Sequence, residues 1–345
     1  MSLRNLRMLY NPLKTPSRLP SIEILRGLAA SAVCFFHFIC GNKDFFPDDS
    51  LIDRIGSFGF LGVEVFFVIS GFIIPYALKR INYTIKQYPR FILRRLLRLE
   101  PPYLASIVLV VGLNILASRM PGFQGGEVIP PLGQVLPHFL YLIPFSDYTW
   151  LSPVYWTLAV EFQYYLLMGV LFLVLNRSKN LGFVALSLLL LASAFLITQG
   201  ISFFRYTPFF VLGFTAYKFF VREIHWVVYA LLTAAALTST VHLFGFSFAV
   251  AGALPVLVIQ WWPSWQSPVL EFLGKISYSL YLIHVPVGGK IINLSARFVD
   301  DLWMRMVVVC LAFGICVGVA YIFYKLLELP ALHWSKKIIL KPITH

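Results

Sequence analysis

The chain has 345 residues, of which 59% are apolar and 12% charged, against about a quarter charged in a soluble domain. Its 32 Phe, 17 Tyr and 8 Trp amount to more apolar surface than one globular core can hide. Apolar runs of about 20 residues recur along the whole length, as bilayer-spanning helices require. The formal charge of +13 is spread over alternate loops rather than gathered in one patch, which argues against a nucleic-acid partner. These features define an all-α polytopic membrane protein, with no stretch outside the apolar runs long enough for a second, soluble domain.

Arg4, Arg7, Lys14 and Arg18 precede the first run, which continues to about Cys40 and holds Glu23, Arg26 and His37. A signal peptide needs a shorter apolar core and a small-residue cleavage site, so this run is expected to be a retained span. About ten transmembrane helices are expected, near 22–40, 60–78, 99–117, 151–175, 181–197, 206–220, 225–241, 245–262, 276–292 and 306–327. Twenty of the 28 Lys and Arg fall in one alternating set of flanking segments and seven in the other, which puts both termini in the cytoplasm by the positive-inside rule. The expected organisation is a cytoplasmic N-terminal segment (1–21), a transmembrane domain (22–330) and a cytoplasmic C-terminal tail (331–345). Cys34, Cys40, Cys310 and Cys316 all lie in apolar runs, without metal-ligand or disulfide spacing, and read as small buried apolar residues.

Ionisable residues inside a bilayer are expensive and usually face a cavity or a partner. Arg26 and His37 are eleven residues apart, which places them on one helical face about 16 Å apart along the axis. His37 then lies toward the outside, as either a hydrogen-bonded packing residue or a base. Glu64, near the outer end of the second span, is expected at the depth of His37, where a carboxylate beside a histidine makes a general base. It also fits an interfacial carboxylate snorkelling into water. Gly59, Gly62 and Gly71 allow close helix approach, and Ser70 adds a polar group near mid-membrane. The loop at 41–59 is acidic (Asp44, Asp48, Asp49, Asp53). The loop at 118–150 is rich in Gly and Pro and ends in Tyr148 and Trp150. Both fit irregular connections or an outward rim that meets a polar substrate.

In RFILRRLLRLEPPY (90–103), Arg90, Arg94 and Arg98 follow an i, i+4, i+8 pattern, and Arg95 stands three residues before Arg98. Guanidinium forks suit phosphates, and a basic helix also suits anionic headgroups. Glu161 in WTLAVEFQYYLL lies near the midplane, where a carboxylate is protonated unless paired with an arginine or histidine. In LGKISYSLYLIHVPV, Pro286 is expected to bend or end the helix near His284. His284 and Glu328 read as members of a helix-packing network in the first place, with a chemical role as the alternative.

Taken in order, these segments resemble the acyltransferase-3 family of integral membrane acyltransferases. The matching pieces are EILRGLAASAVCFFH, GVEVFFVISGFII, RRLLRLEPPYL, YWTLAVEFQYYLL, FLGKISYSLYLIH and the terminal ELP, which together cover residues 22–330. The resemblance implies a ten-span inner-membrane bundle. Such a bundle takes an acyl group, usually acetyl, from cytoplasmic acetyl-CoA and passes it to a hydroxyl of a surface or lipid-linked glycan, such as exopolysaccharide or lipopolysaccharide. It matches Arg26 and His37 to the family's Arg-x10-His and Arg95 and Arg98 to its Arg-x2-Arg. Glu64 stands where aspartate is more usual. Glu161 matches the family's acidic position, and Phe162 follows it where a second acid often stands.

The resemblance and the spacing together give the expected chemistry, with no metal and with membrane lipid as surroundings. The phosphates of CoA dock on Arg90, Arg94, Arg95 and Arg98, and the pantetheine arm rises through the bundle. His37, with Glu64, Arg26 and Glu161 in the catalytic set, acts as general base or carries the acyl group itself. With no further domain after the tenth run, the bundle is expected to complete the transfer. The rival is a glycolipid transporter or flippase, which also explains intramembrane charge and Pro/Gly-broken spans but gives no reason for a phosphate-shaped arginine cluster.

Overall fold

The computed structural model describes residues 18–47, 50–120, 128–177, 180–197 and 202–340. Arg4, Arg7, Lys14, Asp48, Asp49 and the Gly/Pro stretch 121–127, which the sequence singled out, lie outside these residues, as does the end of the tail at 341–345. Among the described residues every regular element is helical. Six helical runs are long and apolar enough to cross a membrane: Pro20–Ile39, Leu51–Arg80, Ile85–Ser118, Tyr155–Leu175, Trp226–Phe244 and Leu302–Lys337. Leu181–Leu196 and Phe246–Trp261 are apolar but shorter. The chain is therefore a multi-pass helical membrane protein.

The first helix, α1 (Pro20–Ile39), opens on a proline, whose missing N–H would have no partner there in any case. Glu23 in its first turn suits the helix dipole. Next come α2 (Gly62–Arg80) and α3 (Tyr88–Ser118). Thr84 and Gln87 form a reciprocal capping box just before α3. That start lies eleven residues ahead of the expected span at 99–117, so the arginine stripe and the apolar run form one continuous rod. Then follow α4 (Tyr155–Arg177), α5 (Asn180–Leu196), α6 (Thr207–Phe220), α7 (Trp226–Phe244) and α8 (Phe246–Trp261).

The helix α6 has only fourteen residues, and the first twelve are all buried. It is walled in by its neighbours, and its crossing with α2 is glycine on glycine. A Cβ at Gly213 would strike the Val68 carbonyl and stand 2.8 Å from the Gly71 Cα, and one at Gly71 would stand 2.5 Å from the Phe210 carbonyl oxygen. Only hydrogen at both positions lets the two backbones meet.

The expected span at 276–292 is broken. A short helix, α9 (Pro268–Lys275), precedes it, and the span itself becomes α10 (Ser277–His284), a π-turn at Val285–Gly289 and a short helix at Lys290–Ser295. Pro286 lies in that π-turn, because it cannot donate to the i−4 ladder. A second π-turn, Tyr324–Glu328, joins α11 (Leu302–Phe323) to α12 (Leu329–Lys337).

Two connections pack more tightly than a loose rim or tail. In the 118–150 connection, His138 is fully buried and stacks on Tyr103, while the Leu140 N–H donates to Glu100 of α3 at 3.1 Å. At the other end of the chain, the buried Gln87 amide donates to the Leu340 carbonyl at 2.8 Å, tying the segment after α12 to the start of α3. None of the four cysteines forms a disulfide; Cys34 and Cys316 are buried as expected, Cys40 is half-buried, and Cys310 is exposed on α11.

Candidate active site

A cavity of about 630 Å³ opens among α1, α2, α3, α4 and α10. Arg26 of α1 and Arg94, Arg95 and Arg98 of α3 line it, together with Ser70, Glu161, Tyr165, Ser277, Tyr278 and Tyr281. Arg18 and Arg80, which were not among the expected site residues, add two further guanidinium groups to the wall. Arg18 is also ion-paired with Glu271 at 2.9 Å. Leu332, Ser335 and Leu340 line the cavity as well, so the segment after α11 belongs to its wall.

Arg90 departs from the expected set, since it is exposed and does not line the cavity. The cavity-facing residues of α3 are Phe91, Arg94, Arg95, Arg98 and Leu99. Four-residue steps drift by about 40° around a helix, which carries Arg90 past the edge of that face.

Glu161 points into the cavity wall and is held by two hydroxyls. Ser70 Oγ donates to its Oε1 at 2.6 Å and Tyr165 Oη at 2.5 Å. Hydroxyl donors hold it directly, and the Arg95 guanidinium lies within its electrostatic reach, as expected of a carboxylate at this depth. The Arg95 guanidinium lies over the rings of Tyr165, at 5.1 Å, and Phe91, at 5.4 Å, where cation–π attraction fixes its orientation. Arg95, Tyr165, Glu161 and Ser70 form one connected chain across three helices. Glu328 accepts from the backbone N–H and the hydroxyl of Ser279 at 3.2 and 2.6 Å, within the field of Arg26 and Arg98. That is the helix-packing role expected of it.

Phe66 and Tyr281, in edge-to-face contact at 5.8 Å, also stand in the cavity wall. Tyr281 Oη is 2.8 Å from Thr157 Oγ1. On its far side the Tyr281 ring lies 5.8 Å from that of His284. His284 Nε2 in turn stands 3.2 Å from His37 Nδ1. The two histidine rings meet edge to face with centroids 5.0 Å apart. His37 is half-buried and lies one ring layer beyond the cavity rather than on its wall.

Glu64 is not the partner of His37. Gly62, two residues before it, packs against Ala29 and Val33. This sets Glu64 beside the middle of α1, about two turns from His37, or on the order of 11 Å along the axis. Its expected depth was counted from the start of the apolar run, but the close glycine contact seats α2 deeper against α1. Glu64 is 4% exposed, has one carboxylate oxygen without a partner, and lies within the electrostatic reach of Tyr281.

The contact between His37 and His284 was the main feature sequence reasoning missed. Both residues were visible as histidines in apolar runs, but 247 positions separate them and no spacing rule connects α1 to α10. The link between Glu161 and Tyr165 was more accessible, since an i, i+4 pair shares a helix face.

A family model described as an acyltransferase domain, Acyl_transf_3, matches residues 19–325, and the chain belongs to that family. Among curated proteins, the chain is similar to acyltransferase MdmB of Streptomyces mycarofaciens, at 30% identity over 159 residues. That match covers 43% of this chain and 38% of the relative. It is also similar to peptidoglycan O-acetyltransferase OatA of Listeria monocytogenes, at 31% identity over 180 residues, covering 47% of this chain and 25% of the relative. The matched segments thus span well under half the length of either relative. No solved structure matches the chain.

Proposed function

We propose that this protein is an inner-membrane O-acyltransferase. It takes an acetyl group from cytoplasmic acetyl-CoA and delivers it to a hydroxyl of a surface or lipid-linked glycan on the outer side. The observation that carries the reading is the convergence of Arg26, Arg94, Arg95 and Arg98 on one cavity whose wall continues through Tyr281 to the His284–His37 pair. Four cations at one end suit the phosphates of CoA. An extended pantetheine arm of on the order of 15–20 Å matches the roughly 16 Å rise from Arg26 to His37. The name of the OatA relative supports O-acetyl transfer to a glycan. A ten-span topology with cytoplasmic termini, supported by the alternating distribution of Lys and Arg, puts the arginine end on the donor's side.

In the reaction, the glycan hydroxyl oxygen attacks the thioester carbonyl. His37 Nε2 takes the hydroxyl proton, the new C–O bond forms, and the C–S bond breaks. The proton then passes to the departing CoA thiolate, so that CoA leaves as the thiol. In the two-step version His37 Nε2 attacks the thioester and expels the CoA thiolate. The acceptor hydroxyl then attacks the acetyl-imidazolium, the N–C bond breaks, and the hydroxyl proton passes to the thiolate. Tyr281 stands between the cavity and the His284–His37 pair, so the thioester must pass its ring. Glu161, fixed by Ser70 and Tyr165, holds a carboxylate beside the path of the pantetheine arm.

Mass spectrometry of surface and lipid-linked glycans from cells with and without the gene tests the reading. Loss of acetyl groups in the deletion, restored by wild type and not by His37→Ala, is the expected result. Unchanged acetylation with glycolipid accumulating at the inner face would replace acyl transfer by transport.

A further inference from the structure

The histidine pair fixes its own proton arrangement. His37 Nδ1 lies 3.0 Å from the Val33 carbonyl and His284 Nδ1 3.1 Å from the Leu280 carbonyl, each four residues back on its own helix. A carbonyl only accepts, so each Nδ1 carries the ring's proton in the neutral state. His284 Nε2 is then a bare lone pair, and it sits 3.2 Å from His37 Nδ1. The His37 Nδ1–H is shared between the Val33 carbonyl and His284, which leaves His37 Nε2 unprotonated. His284 is completely buried, whereas His37 is half-buried.

We propose that His284 is the positioning residue of the acyl-transfer site. It accepts the His37 Nδ1–H, fixes the tautomer that presents Nε2 as base, and stabilises the imidazolium formed when Nε2 takes the acceptor's proton. A neutral imidazole thus does for His37 what a carboxylate does for the histidine of a hydrolytic triad. This inference rests on the proposed role of His37. It reassigns His284 from packing to function, and it explains how His37 is oriented when Glu64 is about two turns away.

Two measurements test it. The first compares His284→Leu with His284→Gln in detergent-purified protein, using acetyl-CoA and membrane glycolipid extracted from a deletion strain. Leu fills the space but cannot accept a hydrogen bond, whereas the Gln side-chain oxygen can. Positioning predicts that Leu lowers kcat by at least about 10-fold, as expected when a catalytic histidine loses its tautomer control, with KM for acetyl-CoA unchanged within about twofold and with Gln recovering part of the loss. A packing role predicts the reverse order, since Leu suits an apolar shell better than Gln, and that order would overturn the proposal.

The second measurement needs no variant at position 284 and is independent of its folding. Nitrogen-15 NMR of histidine-labelled wild type in lipid bilayers, with His37 assigned by comparison with His37→Ala, should show His37 protonated at Nδ1. Protonation at Nε2 would overturn the proposal. Wild type that transfers no acetyl group, or His37→Ala that transfers it normally, would remove the acyl-transfer reading instead, and the tautomer would still judge the pairing.

Discussion

Ser70 on α2 donates to Glu161 on α4 at 2.6 Å, and this bond joins the two helices across the wall of the arginine-lined cavity. It accounts for one half of the support of a carboxylate in the middle of an apolar span. The other half is Tyr165, one turn along the same helix. Replacing one hydroxyl leaves the carboxylate with a single donor, whereas replacing both leaves it with none.

Ser70→Ala and Tyr165→Phe should therefore each lower stability by about 1–2 kcal/mol. Their combination should lower it by more than the sum, because the two act on one carboxylate oxygen. Thermal unfolding of the four proteins in a common detergent measures this directly, and strict additivity would show that the hydroxyls do not share a partner.

The crossing of α2 and α6 predicts a contrast between two glycines. Gly213→Ala places a Cβ on the Val68 carbonyl, where backbone must move, and should destabilise by about 1–3 kcal/mol. Gly112→Ala, in α3 with nothing within 4 Å of the new Cβ, should be neutral or stabilising, by up to about 1 kcal/mol. Melting curves of the two variants that fell together would contradict the close approach of α2 and α6.

Glu223, in the turn after α6, bonds Lys79 and Lys218 at 2.8 Å each. Burial alone would raise its carboxyl, but the two ammonium groups outweigh burial and hold it below its ordinary value of 4.5. A carboxyl depressed on folding stabilises the protein above its unfolded value, and that stability disappears as pH falls through the folded value. The difference in melting temperature between wild type and Glu223→Gln should be full at pH 7 and close as pH drops below about 4.5. A difference that stayed constant down to pH 3 would show that the clamp does not depend on charge.

Much of this arrangement was legible in the sequence because it rests on local rules. The apolar runs, the break at Pro286, the glycine contacts of Gly59, Gly62 and Gly71, and the helical arginine stripe all follow from periodicity or residue chemistry within a few turns. Depth and pairing did not follow. Glu64 was set level with His37 by counting from the start of its run, and the seating of Gly62 on Ala29 moved it about two turns away. Arg90 satisfied the i, i+4 pattern, but helical drift turned it off the cavity face. The His37–His284 contact joins helices at opposite ends of the chain, and only tertiary packing decides it.

Binding of acetyl-CoA to the purified protein in lipid nanodiscs, followed by calorimetry, decides whether the arginine-lined cavity is the donor site. Wild type and Arg90→Ala should bind alike within about twofold. The Arg95→Ala, Arg98→Ala double variant should lose at least about 100-fold, because two charge-assisted hydrogen bonds at roughly 1.5–3 kcal/mol each disappear. Equal binding by the double variant and wild type, or an equal loss in Arg90→Ala, would show that the cavity does not hold the phosphates of CoA.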